Sequence, residues 1–368
     1  MVFNWLKRKK PPSPRLPSAP LTLETAASYT IEMERTDSHL PRLVQDGRLP
    51  DGTASLFRDW RSTPLTLRQF VLENVVLDRS LMVFLKDGRP IVDTAYLQSP
   101  ADVQALTVRP ECLVAAPKKQ PVMAACFDHW NLNYYHWLAH TVPTLFILHE
   151  KGFPGSLILP SLTPWQEDTL RLSGFDPDNS VTTHHGQQYA FRKVIYTDYV
   201  RGAADFSVST RSCRAYRALT ARAGVKRGTA RTLKIFIARG NASNRLMANE
   251  TELAFALKQE DFTIVQPETL NINAQIHLFS QARMVVGALG AGMANVVWCQ
   301  PGTIVCELVP QHHQNPCILN LTIQMGLLYW GELIETGVDT SSHVSVGLRP
   351  FDIPLLVHRI RQLAAFIR

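Results

Sequence analysis

The stretch MVVGALGAGMANVVWCQPGTIVCELVP, residues 284–310, decides how this chain reads. An apolar strand-like run meets a cluster of glycines and alanines. An apolar helix-like run follows, then a second strand-like run, TIVCEL. Glycines at such a junction serve a tight turn or the close approach of another group. In an open α/β sheet, ligands bind outside the C-terminal ends of the strands, and GALGAG stands at such an end. Backbone N–H groups of Gly290, Ala291 and Gly292 would then face a bound anion, helped by the positive end of the following helix. A phosphate or diphosphate suits that place. The next acid, Glu307, ends the following strand, where a carboxylate would accept both hydroxyls of a ribose. Phosphate and ribose together make a nucleotide.

Two other readings stand beside this one. The glycines could serve helix–strand packing alone. A dinucleotide-binding oxidoreductase using NAD(P) is less favoured. The spacing is GxxGxG (Gly287, Gly290, Gly292), and the acid follows only 15 residues after Gly292 instead of about 20.

Working outward, strand-like and helix-like runs alternate. TLKIFIA (232–238), FTIV, MVVG and TIVCEL read as strands, and Glu250–Glu260, AQIHLFSQA, GMANVVWC and residues 315–325 as helices. The first half repeats the scheme less cleanly. PVMAACF (121–127), SLILP (156–160) and RKVIYTD (192–198) read as strands. NLNYYHWLAHTVPTLFIL is helical from about Asn133, with Pro143 kinking or restarting it. TPWQEDTLRLSG is a helix capped by Thr163 with Pro164 at its first position. Residues 209–223 form an Arg-rich helix, and LMVFLKDGRPIVDT a hairpin around Asp87-Gly88. IPLLVHRIRQLAAFIR (353–368) predicts a C-terminal amphipathic helix. The alternation argues for an α/β fold of two Rossmann-like domains facing a cleft. The divisions fall at 1–25 (basic Pro-rich tail), 26–228 and 229–368.

The chain carries a formal charge of +7 over 368 residues. Five of those positives, Lys7, Arg8, Lys9, Lys10 and Arg15, lie in a tail without acids, which leaves +2 for the rest. The charge is therefore poor evidence for nucleic acid as a partner. The tail begins MVFNWL before its basic cluster, a pattern that suits peripheral contact with an anionic membrane; a solubilising tail is the alternative. Six cysteines form no CxxC pair and mostly sit in apolar runs, as expected of reduced thiols in a reducing, cytoplasmic compartment. No zinc spacing appears, and no cofactor or metal is expected.

The chain resembles glycosyltransferase family 61, the capsular polysaccharide biosynthesis type. The matching pieces are FIARG, the loop NASNR, the pair Asn249-Glu250, the segment from QIHLF through GALGAGMAN to PG and Glu307, and upstream NYYHWLAHTVP. One position departs: the family's histidine before Gly290 is here Leu289. The resemblance implies a GT-B architecture and an inverting transferase without an obligatory metal. It implies a nucleotide-sugar donor, with UDP-sugar the first choice, and a glycan or lipid-linked glycan acceptor for a surface polysaccharide made at the inner membrane. Leu289 motivates a second reading, a non-catalytic nucleotide-sugar or glycan-binding protein on the same scaffold.

A metal-free transferase must stabilise a leaving diphosphate with arginines and backbone N–H groups. Arg239 and Arg245 suit that task, with Glu250 and Asn295 as further donor contacts. Glu250 reads equally as a helix cap, and Asn295 as a brace for the glycine loop. For the base that deprotonates the acceptor, His136 is the first choice, with Asp128 at the preceding strand end. His140, one helical turn on, and Trp137 are expected on the acceptor side. A core position for Trp137 stays open. The pairs His184-His185 and His312-His313 lack ligand spacing. The run from Arg211 to Arg231 reads as a solvated face or as a surface for an anionic acceptor.

Overall fold

The computed structural model describes residues 20–115, 122–226, 228–240, 247–335, 350 and 352–366. The basic tail and Arg245 lie outside them, so those two expectations rest on sequence alone. The described residues form two sheets with helices.

The second half is the simpler. Its strands are β10 (Leu233–Ile237), β11 (Phe262–Val265), β12 (Ala282–Ala288), β13 (Ile304–Pro310) and β14 (Leu328–Ile334). All pair in parallel, in the order β11-β10-β12-β13-β14. That is the doubly wound order 2-1-3-4-5, whose direction of winding reverses between β10 and β12. Arg239 and the glycine loop follow the C-terminal ends of those two strands.

The first half carries β1 (Tyr29–Thr36), β2 (Leu65–Asp78), β3 (Val83–Lys86), β4 (Arg89–Pro90), β5 (Leu113–Ala115), β6 (Met123–Ala125), β7 (Ser156–Leu159), β8 (Ser180–Thr182) and β9 (Gln188–Thr197). Strands β5 to β9 pair in parallel, whereas β1 to β4 are antiparallel additions built on the long pair β2–β9. The sheet is thus mixed, a departure from the plain Rossmann-like alternation expected. Asp87 and Gly88, with φ of 51° and 73°, turn the expected hairpin between β3 and β4, as a two-residue loop with positive φ at both positions should.

One apolar cluster runs through both halves, from Leu72 and Leu145 to Ile235, Val297 and Leu321. A second covers the outer face of the C-terminal sheet. There Leu253 and Leu257 of the helix Glu250–Lys258 meet Leu356, Val357, Ile360 and Leu363 of the helix Ile353–Ala364. The chain also crosses the expected boundary. Tyr329 and Leu56 donate backbone hydrogen bonds to Arg42 and Gly331, so the segment around residues 42–56 lies along the edge of β14. No helix among the described residues is long and apolar enough to cross a membrane.

Candidate active site

The site is built from the helix after β6 and the loop after β12. Asn133 caps the first, its side chain accepting the Tyr135 N–H at 2.9 Å. Tyr134–His136 is α-helical, Trp137–Thr141 is a π-turn, and Val142–Glu150 is α-helical again. Pro143 explains the insertion: it has no N–H for the carbonyl one turn back, so the helix widens before it rather than breaking. His136 and His140 remain on one face, their rings 5.2 Å apart.

That face meets Asp128, which is buried just past β6. One carboxylate oxygen faces His136 Nδ1 at 2.9 Å and also His140 Nδ1. The other accepts the Trp130 N–H at 2.7 Å. His140 Nε2 faces Asp205 at 2.6 Å, and Asp205 accepts the Tyr96 hydroxyl at 2.6 Å. Burial acts to lower the His140 pKa, but Asp205 and Asp128 outweigh it and raise it to about 10. His140 is therefore a cation at neutral pH. Burial likewise acts to raise Asp128, and the two histidines outweigh it, holding the carboxyl well below its usual range.

His136 differs from His140 in access. It lines a cavity of about 500 Å³ together with Tyr96, Asp205, Leu289, Gly290 and His313. With Nδ1 held by Asp128, its Nε2 is left as the acceptor, an assignment made from its partner. An acid orienting a histidine whose far nitrogen faces a cavity is the arrangement of a general base. The same three side chains each offer a ligand atom within 4.8 Å of the others, so they could hold a metal ion. A metal there would have to displace both Nδ1 hydrogen bonds.

A second cavity, about 540 Å³, lies against the first, and Asn133 and Ala291 line both. Its walls include Tyr134, Trp165, Arg239, Glu268, Gly292 and Met293. Arg239 Nη1 donates to the Leu289 carbonyl at 3.2 Å. A Cβ on Gly290 would overlap that same nitrogen, and one on Gly287 would meet Met293 Sδ at 2.7 Å. A Cβ on Gly292 would meet only ordinary contacts. The first two glycines thus admit neighbouring side chains, and Gly290 lets an arginine reach the loop. Gly290→Ala should push Arg239 aside at little cost in folding, because the end of a flexible side chain can move. We expect nucleoside diphosphate affinity to fall about tenfold with a nearly unchanged Tm, read by calorimetry and thermal melting. Unchanged affinity would mean that Arg239 does not hold the ligand.

Several expected ligands are committed elsewhere. Glu250 accepts the Arg239 and Gly240 backbone N–H groups at 2.7 and 3.3 Å, so it fixes the arginine's backbone instead of reaching a donor. Asn295 is buried; it accepts the Tyr134 hydroxyl at 3.0 Å and donates to the Gly292 carbonyl at 3.1 Å. Trp298 also donates to that hydroxyl, so these groups brace the glycine loop across the junction of the halves. Glu307 is fully buried, hydrogen-bonded to the Tyr329 hydroxyl at 2.7 Å, and absent from both cavity walls. Burial raises it to about 8. It is corrected from ribose ligand to core residue. The exposed carboxylate on the second cavity is Glu268, which the sequence reading passed over because it follows a different strand, β11. Trp137 is fully buried against Trp165, and His140 is sealed between its two carboxylates. Neither can touch an acceptor. Trp130 is exposed and tilted against His136 with rings 6.3 Å apart, and Phe206 is exposed on the cavity that His136 lines.

The expected helix after the glycine loop is a 3₁₀ run, Ala291–Trp298. Arg211 and Arg214 pair with Glu150, and Arg217 and Lys226 line a separate cavity that shares no residue with the cleft.

Residues 134–306 match the sequence model of the family Glycosyltransferase 61. These residues belong to glycosyltransferase family 61. The family 61 region holds His136, His140, Arg239, the glycine loop and Asn295, while Asp128 and Trp130 precede it. No curated protein gives a significant match to this chain. A glycosyltransferase brings a sugar donor and an acceptor together, and paired cavities that share Asn133 and Ala291 of the glycine loop suit that task.

Proposed function

We propose that the chain is an inverting, metal-independent glycosyltransferase of GT-B-like arrangement, with an acceptor-side part at 26–228 and a donor-side part at 229–368. One observation carries the reading: the Asp128–His136 pair and the glycine loop with Arg239 face each other across adjoining cavities. The nucleotide of a nucleotide sugar, UDP first, occupies the cavity of Arg239 and Gly292. Its diphosphate meets Arg239 and the N–H groups of Gly290–Gly292. Glu268 faces the ribose, and Trp165 or Tyr134 the base. The acceptor hydroxyl enters the cavity of His136 and attacks the anomeric carbon in line. Its proton passes to His136 Nε2, and the diphosphate leaves with the bonding electrons. Leu289 leaves the leaving group to Arg239 and the backbone. The acceptor belongs to surface polysaccharide synthesis in the cytoplasm, with the basic tail at the inner membrane.

Thermal melting against nucleoside diphosphates and NAD(P) tests the donor side. A nucleoside diphosphate at 100 times its Kd should add about 2.7 kcal/mol, and Glu268→Ala should shrink that gain. A shift with NAD(P) alone would reject the reading. Chelation should leave activity unchanged. Loss with EDTA and recovery with a divalent cation would instead make Asp128, His136 and His140 a metal centre.

A further inference from the structure

A buried arginine lies on the acceptor side and is not used by the mechanism. Arg79, just past β2, is 8% exposed, and no carboxylate lies within ion-pair distance of it among the described residues. The neighbouring Asp78 is already taken by Arg109, Gln188 and the N–H groups of Ser80 and Leu81. Arg79 Nε donates to the Thr183 hydroxyl at 3.1 Å, and the guanidinium lies 4.7 Å from the Phe127 ring. Its terminal nitrogens make no hydrogen bond among the described residues, yet they keep contact with solvent.

Such a cation is costly. Burying a charge without a counter-ion is strongly unfavourable, and stacking on one ring offsets only part of that. Its surroundings do not offset the rest. Burial and then the nearby Arg79 hold the His129 pKa below the usual histidine range, so it adds no countercharge to the guanidinium. The acid acting on His129 is Asp128, which is already shared by two histidines. Arg79 is therefore the cation of this group, and no free carboxylate pairs with it among the described residues.

The cluster adjoins the reacting centre. The His129 and Trp130 rings are 5.3 Å apart, and the Trp130 and His136 rings 6.3 Å. Trp130 is 47% exposed and Leu132 70%, so an apolar face suited to stacking on a sugar ring lies open beside the base, next to His129. Asp128 to Trp130 and Arg79 all precede the family 61 match.

We propose that the acceptor is an anionic glycan: its ring lies on Trp130, and its carboxylate or phosphate docks on Arg79 beside His129 while a neighbouring hydroxyl meets His136. This rests on the transferase reading and names its acceptor class. A planar guanidinium with both terminal nitrogens available binds either anion in bidentate fashion.

Calorimetric titration of the full chain with trigalacturonate, 6-phosphomaltotriose and neutral maltotriose tests it, with UDP titrated alongside. An anionic probe should bind at least about tenfold tighter than maltotriose, and which of the two does so identifies carboxylate or phosphate. The preference should fade as salt rises from about 0.05 to 0.5 M. Arg79→Gln should abolish it and Arg79→Lys should weaken it; the second serves if the first does not fold. Trp130→Ala should weaken all three probes, and UDP binding should survive every variant. Equal affinity for neutral and anionic probes, or a preference that persists in Arg79→Gln, overturns the proposal. Where UDP binds but no anion preference exists, only the acceptor inference fails. Where the preference exists but no nucleotide binds, the anionic site stands and the transferase reading falls.

Discussion

Changing His136 to Asn is expected to cut turnover by roughly 10²–10⁴-fold while leaving nucleoside diphosphate affinity unchanged. The split follows from geometry. His136 lines the cavity of Tyr96 and Asp205, whereas Arg239 and Glu268 line the adjoining one. Losing the base removes the proton acceptor without touching the diphosphate site. Asparagine keeps a polar group near Asp128, so the fold should tolerate the change. Asp128→Asn should also slow turnover, because His136 would lose the carboxylate that fixes its orientation and tautomer. It should destabilise as well, since the cationic His140 would lose one of its two carboxylates. Breaking a buried pair costs about 3–5 kcal/mol; Asp205 remains and softens the loss. Full turnover in His136→Asn would reduce the histidine to a structural role.

The second large effect is on stability against pH. Glu307 is raised from 4.5 to about 8 by burial, so the folded state holds a proton that the unfolded chain releases. Its contribution is fully present below pH 4.5 and is lost as pH rises through about 8. His140, raised from 6.5 to about 10, acts in the same direction over the higher window. Asp128 acts oppositely, losing its contribution as pH falls below the usual carboxylate range. The chain should therefore be most stable in mild acid and weaken steadily towards pH 10. Glu307 accounts for on the order of 3–5 kcal/mol at most, visible as a Tm decline of roughly 5–10 °C. Glu307→Gln keeps a side chain for Tyr329 but does not titrate. Its melting temperature should be flatter between pH 5 and 8. An unchanged slope would mean that Glu307 is ionised in the fold.

Where local pattern governs structure, the sequence was legible. In the second half each strand pairs with others in parallel and is followed by its own helix or turn, so β10 to β13 and the helix Ile272–Ser280 fall where apolar runs and turn residues put them. The antiparallel β1 and β2 were not separable from loop. Asn74, for example, sits at φ 52° inside β2, and the strand's face is settled by distant β9. At the site, the spacing of His136 and His140 and the place of Asp128 after a strand were readable. Asp205 and Tyr96, which complete the network, come from distant segments and carry no local mark. Glu307 misled because a strand-end acid can point to the cleft or into the layer. Its neighbours Cys306 and Leu308 in an apolar run were the available hint. Of the two tryptophans flanking His136, the helix face buries Trp137 and the preceding turn exposes Trp130, a distinction of geometry that residue type does not carry.

The most direct test of the central claim is release of nucleoside diphosphate from a panel of nucleotide sugars, measured with and without oligosaccharide acceptors. The account predicts release from one donor, accelerated by an acceptor and lost in His136→Asn. A chain that binds a nucleotide sugar yet never releases the diphosphate would contradict it, and would leave a binding protein in which Leu289 marks a site that holds its ligand without chemistry.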